Sequence, residues 1–185
     1  MSDKSLRFRG ESRHKLATSL LSKIGKLAGC EVWVASDDKN KKFKGIKLGE
    51  NCLQKFPDIN LPQNAIKRLK KVDVIWFKDS IPVYAFEIET TTKIYSGLLR
   101  LSDLCSSVPT LKMSLNIVAQ QARQENVIRE ILRPTFQRVK LNDFFGYIPL
   151  EDLDSLHDSI KALKKGLSPN IIDNIILSHP TEGHQ

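Results

Sequence analysis

The chain of 185 residues is 41% apolar and 27% charged, with a net charge of +8. That is enough apolar material for one compact core, which excludes global disorder. No apolar run approaches the roughly 20 residues that a membrane-spanning helix needs, and the polar start Met1–Arg7 lacks the apolar stretch of a secretory signal.

In chain order, Leu16, Ala17, Leu20, Leu21, Ile24 and Leu27 recur at helical spacing and predict an amphipathic helix from Glu11 to Leu27, stopped by Gly29. Glu31–Ala35 is a short strand. Ser36 to Pro62, rich in Lys, Asn, Asp and Gly, is expected as a long loop or hairpin, a kind of segment that is often functional. One or two helical turns follow over Asn64–Lys70, then two central strands, Val72–Phe77 and Ile81–Ile88, joined around Lys78-Asp79-Ser80. A second helix is expected over Tyr95–Ser106, ending before Pro109. Leu115–Ala119 is continuously apolar, as for a strand covered on both faces. Gln120–Leu132 reads as a third helix stopped by Pro134, Phe144–Ile148 as a final strand, and Leu150–Leu163 as a fourth helix. The tail from His179 to Gln185 is expected to be disordered. The pattern describes one α/β domain with a central mixed sheet flanked by helices on both sides, and the connection from Glu89 to Ile117 is a crossover. Trp33 and Trp76 fall within strand patterns and read as core. Cys30, Cys52 and Cys105 lack metal-ligand spacing and read as reduced thiols of a cytoplasmic protein.

Side chains alternate along a strand, so Glu87 and Glu89 share a face while Phe86 and Ile88 take the other. A hairpin around Asp79 returns Asp73 to the same end. Three carboxylates gathered there repel one another unless a hard divalent cation such as Mg²⁺ sits among them. The competing account of Glu87 and Glu89 is a charged edge strand that discourages aggregation. The chain as a whole is basic, with clusters at Lys39–Lys44 (Lys41, Lys42, Lys44) and Lys67–Lys71 (Lys67, Arg68, Lys70, Lys71). Such clusters suit phosphate contacts and steer association with nucleic acid; a lysine-rich surface kept for solubility is the alternative.

An acidic residue at the start of one strand, then a second acid and a lysine one position apart on the next, is the pattern of the PD-(D/E)xK nuclease superfamily, which this sequence resembles. Asp73 matches the first acid, Glu87 the second, and Glu89 stands where lysine is usual, giving the Glu-x-Glu variant. The order helix, strand, strand, strand, helix, strand from about Glu11 to Ala119 resembles the superfamily's restriction-endonuclease-like core. Phe86–Thr91, Gly97–Leu104 and Arg133–Phe136 also look like a narrower group of restriction-endonuclease-like proteins. The resemblance implies a nuclease-like core over 8–136 with a C-terminal α/β extension over 137–178.

It further implies that Asp73 and Glu87 bind Mg²⁺, or Mn²⁺, with the backbone carbonyl of Ile88. Glu89 would complete the metal shell or act as general base. Glu11 is the first-helix candidate for that shell, although its helical phase points away from the Leu16–Leu20–Ile24 stripe. His14 lies near the apolar boundary and reads as a polar flank. Lys93, four residues beyond Glu89, is the candidate replacement for the missing lysine, and Arg100 is a candidate phosphate contact. Thr90, Thr91 and Thr92 fit helix capping better than phosphate binding. His157, His179 and His184 show no ligand spacing.

The implied activity is Mg²⁺-dependent DNA endonucleolysis of restriction or defence type, by a homodimer if both strands are cut. No nucleotide cofactor or membrane partner is implied. A nuclease-fold DNA-binding module without catalysis, and an RNA- or junction-directed nuclease, are the alternatives.

Overall fold

The computed structural model describes residues 3–90, 94–108, 112–137, 145–163 and 167–177. Its frame is a five-stranded mixed sheet in the order β1-β4-β5-β6-β7. The strands are β1 (Glu31–Val34), β4 (Val74–Lys78), β5 (Ile81–Ile88), β6 (Ser114–Ala119) and β7 (Phe145–Pro149). A separate two-stranded ribbon, β2 (Lys42–Phe43) and β3 (Ile46–Lys47), occupies the expected loop region.

The sheet is antiparallel from β1 to β5 and parallel from β5 to β7. The change of sense follows from the connections. The β4–β5 link is a two-residue turn with Asp79 at φ 50° and Ser80 at φ 63°, the left-handed pair that a tight hairpin turn uses. The β5–β6 link instead carries α3 (Ile94–Ser107), the crossover that parallel neighbours require.

Both faces of the sheet are covered, which explains why its central strands are apolar without a break. On one face Val74, Trp76, Tyr84, Phe86 and Ile88 pack with Leu20, Leu21 and Ile24 of α1 (Asp3–Leu27) and Leu153 of α6 (Leu150–Ile160). Trp76 Nε1 donates to the Leu21 carbonyl at 3.1 Å. Gly25 makes room for that indole, since a Cβ there would stand 2.6 Å from Trp76 Nε1. On the other face Ile75, Phe77, Ala85 and Ile117 pack with Ala65 and Leu69 of α2 (Gln63–Leu69), Leu98 and Leu101 of α3, and Val127 of α4 (Gln124–Ile131).

The expected helices and strands are present with small shifts at their ends, except that the first helix begins at Asp3, eight residues before the expected Glu11. The helix expected from Gln120 divides into a 3₁₀ turn, Gln121–Arg123, and α4, and a short helical turn α5 (Pro134–Gln137) follows the break at Arg133. The helix expected to reach Leu163 ends at Ile160. β7 joins β6 in parallel, so the C-terminal segment completes the same sheet as the core strands. A 3₁₀ stretch, Pro169–Ile175, packs onto the α1 face, and Leu177 exchanges backbone hydrogen bonds with Tyr147. Trp33 and Trp76 are core residues, 4% and 0% exposed. The tail from His179 lies outside the described residues, and no helix among them is long and apolar enough to cross a membrane.

Candidate active site

The antiparallel register pairs Val74 with Phe86, which sets Asp73, at the foot of β4, beside the end of β5. Asp73 Oδ2 accepts the backbone N–H of Ile88 at 2.7 Å. Because β5 lies between β4 and β6, the two glutamates are not on an edge: Glu87 is 0% and Glu89 6% exposed. The charged-edge account therefore fails. Glu87 and Glu89 turn toward α3, where Gly97 allows close approach; a Cβ there would stand 2.7 Å from Glu89 Oε1 and 3.4 Å from Glu87 Cβ.

Arg100, one turn along α3, places Nη2 2.8 Å from Glu87 Oε2. Glu87 Oε1 is buried with no hydrogen-bond partner among the described residues. Burial first, then the field of Asp73, raises the Glu87 pKa well above the usual carboxylate range, against the pull of Arg100. The same two causes raise Glu89 to about 7. Asp73 is also raised, by burial, with His14 and the Ile88 N–H pulling the other way. Arg123 Nη1 donates to the Glu89 carbonyl at 2.8 Å and steadies the backbone where β5 ends.

On the α1 side of Asp73 stand two residues that the sequence reading did not place in the site. His14 Nε2 lies 2.9 Å from Asp38 Oδ2 and 3.8 Å from Asp73 Oδ1. One ligand atom from each of His14, Asp38 and Asp73 falls within 4.8 Å of the others, a spacing compatible with a metal ion. Asp38 is also paired with Lys41 at 2.5 Å. Burial opposes its charge, yet the hydrogen bonds from His14 and Lys41 prevail and draw its pKa to about 2. Burial likewise opposes charge on His14, and the hydrogen bond to Asp38 with the field of Asp73 overcomes it, raising the imidazole above its ordinary value.

The signal for Asp38 was tertiary. β1 pairs with β4, and Ala35 N donates to the Asp73 carbonyl at 3.0 Å, so the residues just after β1 arrive beside Asp73. For His14 the signal was local: three residues after Glu11, it lies on the same helix face.

An open cleft of about 630 Å³ lies over this sheet end, lined by His14, Asp38, Lys41, Lys71, Asp73, Ile88, Glu89, Thr90 and Arg100, with Glu11 and Lys15 at its wall. Glu11 is exposed and spends its charge on Lys15 at 2.6 Å. Of the basic candidates, Lys41, Lys71 and Arg100 line the cleft. Lys42 and Lys44 sit on the ribbon, Lys67 and Lys70 are exposed on and just after α2, and Arg68 pairs with Asp103 at 3.0 Å. Lys93, Thr91 and Thr92 lie outside the described residues.

No curated protein and no solved structure matches the chain. A family model does: that of the type II restriction enzyme NmeDI C-terminal domain, over residues 1–178. A match of that extent takes in the sheet, both helical layers and every residue of the cleft, and the chain therefore belongs to the family of the type II restriction enzyme NmeDI C-terminal domain.

Proposed function

We propose that this chain is a Mg²⁺-dependent DNA endonuclease of restriction type, of the PD-(D/E)xK kind in its Glu-x-Glu form. The observation that carries the reading is the buried set Asp73, Glu87 and Glu89, two of whose members also meet a cleft or its cationic wall in a chain of net charge +8. Three inward carboxylates with raised pKa values cost stability, and such groups at a cleft are the ones a functional site uses. The donor set suits a hard cation: carboxylate oxygens, one of them, Glu87 Oε1, buried with no hydrogen-bond partner among the described residues.

In this reading Asp73, Glu87 and Glu89, with the Ile88 carbonyl, hold Mg²⁺ or Mn²⁺, and Glu11 is the outermost candidate for the shell. The bound cation supplies charge neutralisation at the scissile phosphate and acidifies a water. If Glu89 instead stays outside the metal shell, its pKa, raised to about 7 by burial and Asp73, suits it to take a proton from the attacking water near neutral pH. Arg100, half-exposed at the cleft, is the cation best situated to meet a phosphate oxygen, and Lys93 is the other candidate for the lysine that Glu89 replaces. Lys41, Lys42, Lys44, Lys67, Arg68, Lys70 and Lys71 would hold the DNA backbone. Cleavage of both strands would then use a homodimer, one site for each strand.

The Arg100–Glu87 pair also favours a second reading. A guanidinium already placed on the second acid, with no lysine at position 89, suits a DNA-binding module without catalysis. Incubation of supercoiled plasmid with Mg²⁺ or Mn²⁺ separates the two. Metal-dependent nicking by the wild type, abolished in D73N and E87Q, is the expected result. Plasmid binding without cutting, on linear and branched substrates alike, overturns catalysis in favour of the module.

A further inference from the structure

The β2–β3 ribbon takes no part in the central sheet and is built unlike the loops around it. Lys42 pairs with Lys47 and Phe43 with Ile46, and the reversal is made by Lys44 at φ 50° and Gly45 at φ 84°. Two consecutive left-handed residues make the tightest hairpin turn, one that leaves little freedom at the tip. The ladder runs on below the ribbon, with Leu48 N donating to the Lys41 carbonyl at 2.9 Å and Gly49 N to that of Lys39 at 3.0 Å.

Its foot is fixed to the protein. Leu48 is buried in the α1-side core with Phe43 packed against it, and Lys41 is paired with Asp38 in the cleft wall. Its tip is free. Lys42, Lys44 and Lys47 are exposed, with no carboxylate partner among the described residues. Ile46 stands between them, 57% exposed.

We infer that this ribbon enters the major groove of duplex DNA seated in the cleft, tip first, with its lysines on the flanking phosphates and Ile46 against the base edges. The inference rests on reading the cleft as a DNA site and names the element that reads sequence there. Charge complementarity selects a polyanion, and an apolar side chain amid the cations selects one with apolar surface between its phosphates, such as a thymine methyl. Width selects the groove. Two strands about 4.8 Å apart with side chains on both faces form a body that suits a groove about 12 Å wide and not one about 6 Å wide. Lys42 and Lys47, cross-strand partners on one face, meet a phosphate wall; Ile46 shares the other face with Phe43, but where Phe43 packs on the core Ile46 stays 57% exposed nearer the tip and meets the base edges.

The test uses the full chain with a fluorescent DNA duplex in Ca²⁺, and binding selection from a pool of randomised duplexes. The K42Q/K44Q/K47Q variant is expected to bind more weakly, with its log affinity against log salt shallower by about 2 to 3, since each lost phosphate contact removes roughly 0.9. The I46A variant is expected to keep the wild-type salt slope and lose about tenfold in discrimination at one or two selected base pairs. An unchanged slope in the triple variant, an I46A selection profile identical to the wild type's, or equal wild-type affinity for single-stranded DNA overturns the ribbon inference and leaves the cleft reading standing. Failure of the wild type to bind any DNA overturns both.

Discussion

On the α1 side of Asp73, Asp38 is held by His14 at 2.9 Å and by Lys41 at 2.5 Å, and its pKa is drawn down to about 2. On the α3 side, Glu87 is buried against Arg100 with one carboxylate oxygen unpartnered among the described residues, and its pKa is raised well above the usual range. The two groups meet at the same sheet end and share Asp73 as a neighbour, yet one is electrostatically satisfied and the other is not. The difference is in what covers them. Asp38 comes from a polar loop and finds two partners, His14 and Lys41; Glu87 projects from a central strand into an apolar layer where Arg100 is the cation at hand. Satisfied charge needs no ligand to explain it. Buried, mutually repelling carboxylates are kept at a cost in stability, and the proposed cation-dependent function would account for why.

The largest effect should separate the two sides by activity and stability together. D73N and E87Q are expected to lower plasmid nicking by about 10³-fold or more, the scale on which metal-site electrostatics act. The same variants should unfold no earlier than the wild type in metal-free buffer, because each removes a repelling charge. A melting temperature that fell with activity would instead make these carboxylates part of the scaffold.

Acid titration of stability should give the two sides opposite signs. Glu89 has an ordinary pKa of 4.5, raised in the fold to about 7. The folded chain therefore binds the extra proton between those values, and stability falls as pH rises from about 4.5 to about 7, by on the order of 3 kcal/mol. Asp38 runs the other way, from 3.8 down to about 2, so its contribution is present above pH 3.8 and is lost as pH falls toward 2. Urea midpoints across pH should show E89Q flattening the upper arm and D38N the lower one. If both substitutions flatten the same arm, the contrast between the sides is wrong.

A smaller effect follows from the cation on Glu87. R100A leaves that carboxylate without its ion pair, and because Arg100 is 48% exposed the loss is expected at about 1–2 kcal/mol, below that of a fully buried pair. R100A/E87Q should recover most of it, which a double-mutant cycle in urea would measure. Strict additivity of the two changes would show that Arg100 does not neutralise Glu87 in solution.

That Asp73, Glu87 and Glu89 come to one sheet end was legible from the sequence, because strand parity and a two-residue turn are local rules. The sheet and its covering helices were legible for the same reason. Asp38 was not, since it reaches the site through the pairing of β1 with β4, which no local pattern of Ser36–Pro62 encodes. His14 was read as a flank because an apolar stripe reports which face of α1 is buried, and not which sheet end the helix crosses. Arg100 was read as a phosphate contact; its pairing with Glu87 depends on how α3 docks over β5. β7 was foreseen as a strand, but its parallel place beside β6 required the fold, where Gly146 leaves space for the Asn116 side chain.

The finest test of the α3 side changes no charge at all. Gly97 lies in the first turn of α3, and an added Cβ would stand 2.7 Å from Glu89 Oε1. That contact is with the far end of a flexible side chain, so G97A should relieve it by turning the Glu89 carboxylate aside. Alanine is also the better helix former, by about 1 kcal/mol, so the fold should survive with its melting temperature nearly unchanged. Activity should not survive intact: displacement of a catalytic group by about 1 Å is enough to cost up to 10²-fold, and a fall of at least about tenfold in kcat is expected. DNA affinity in Ca²⁺ should be less affected, because G97A removes none of the cations that would hold the backbone. A G97A enzyme that cut at the wild-type rate would mean that the Glu89 carboxylate need not stay where it is, and the general base would then have to be sought on the other side of Asp73, at His14.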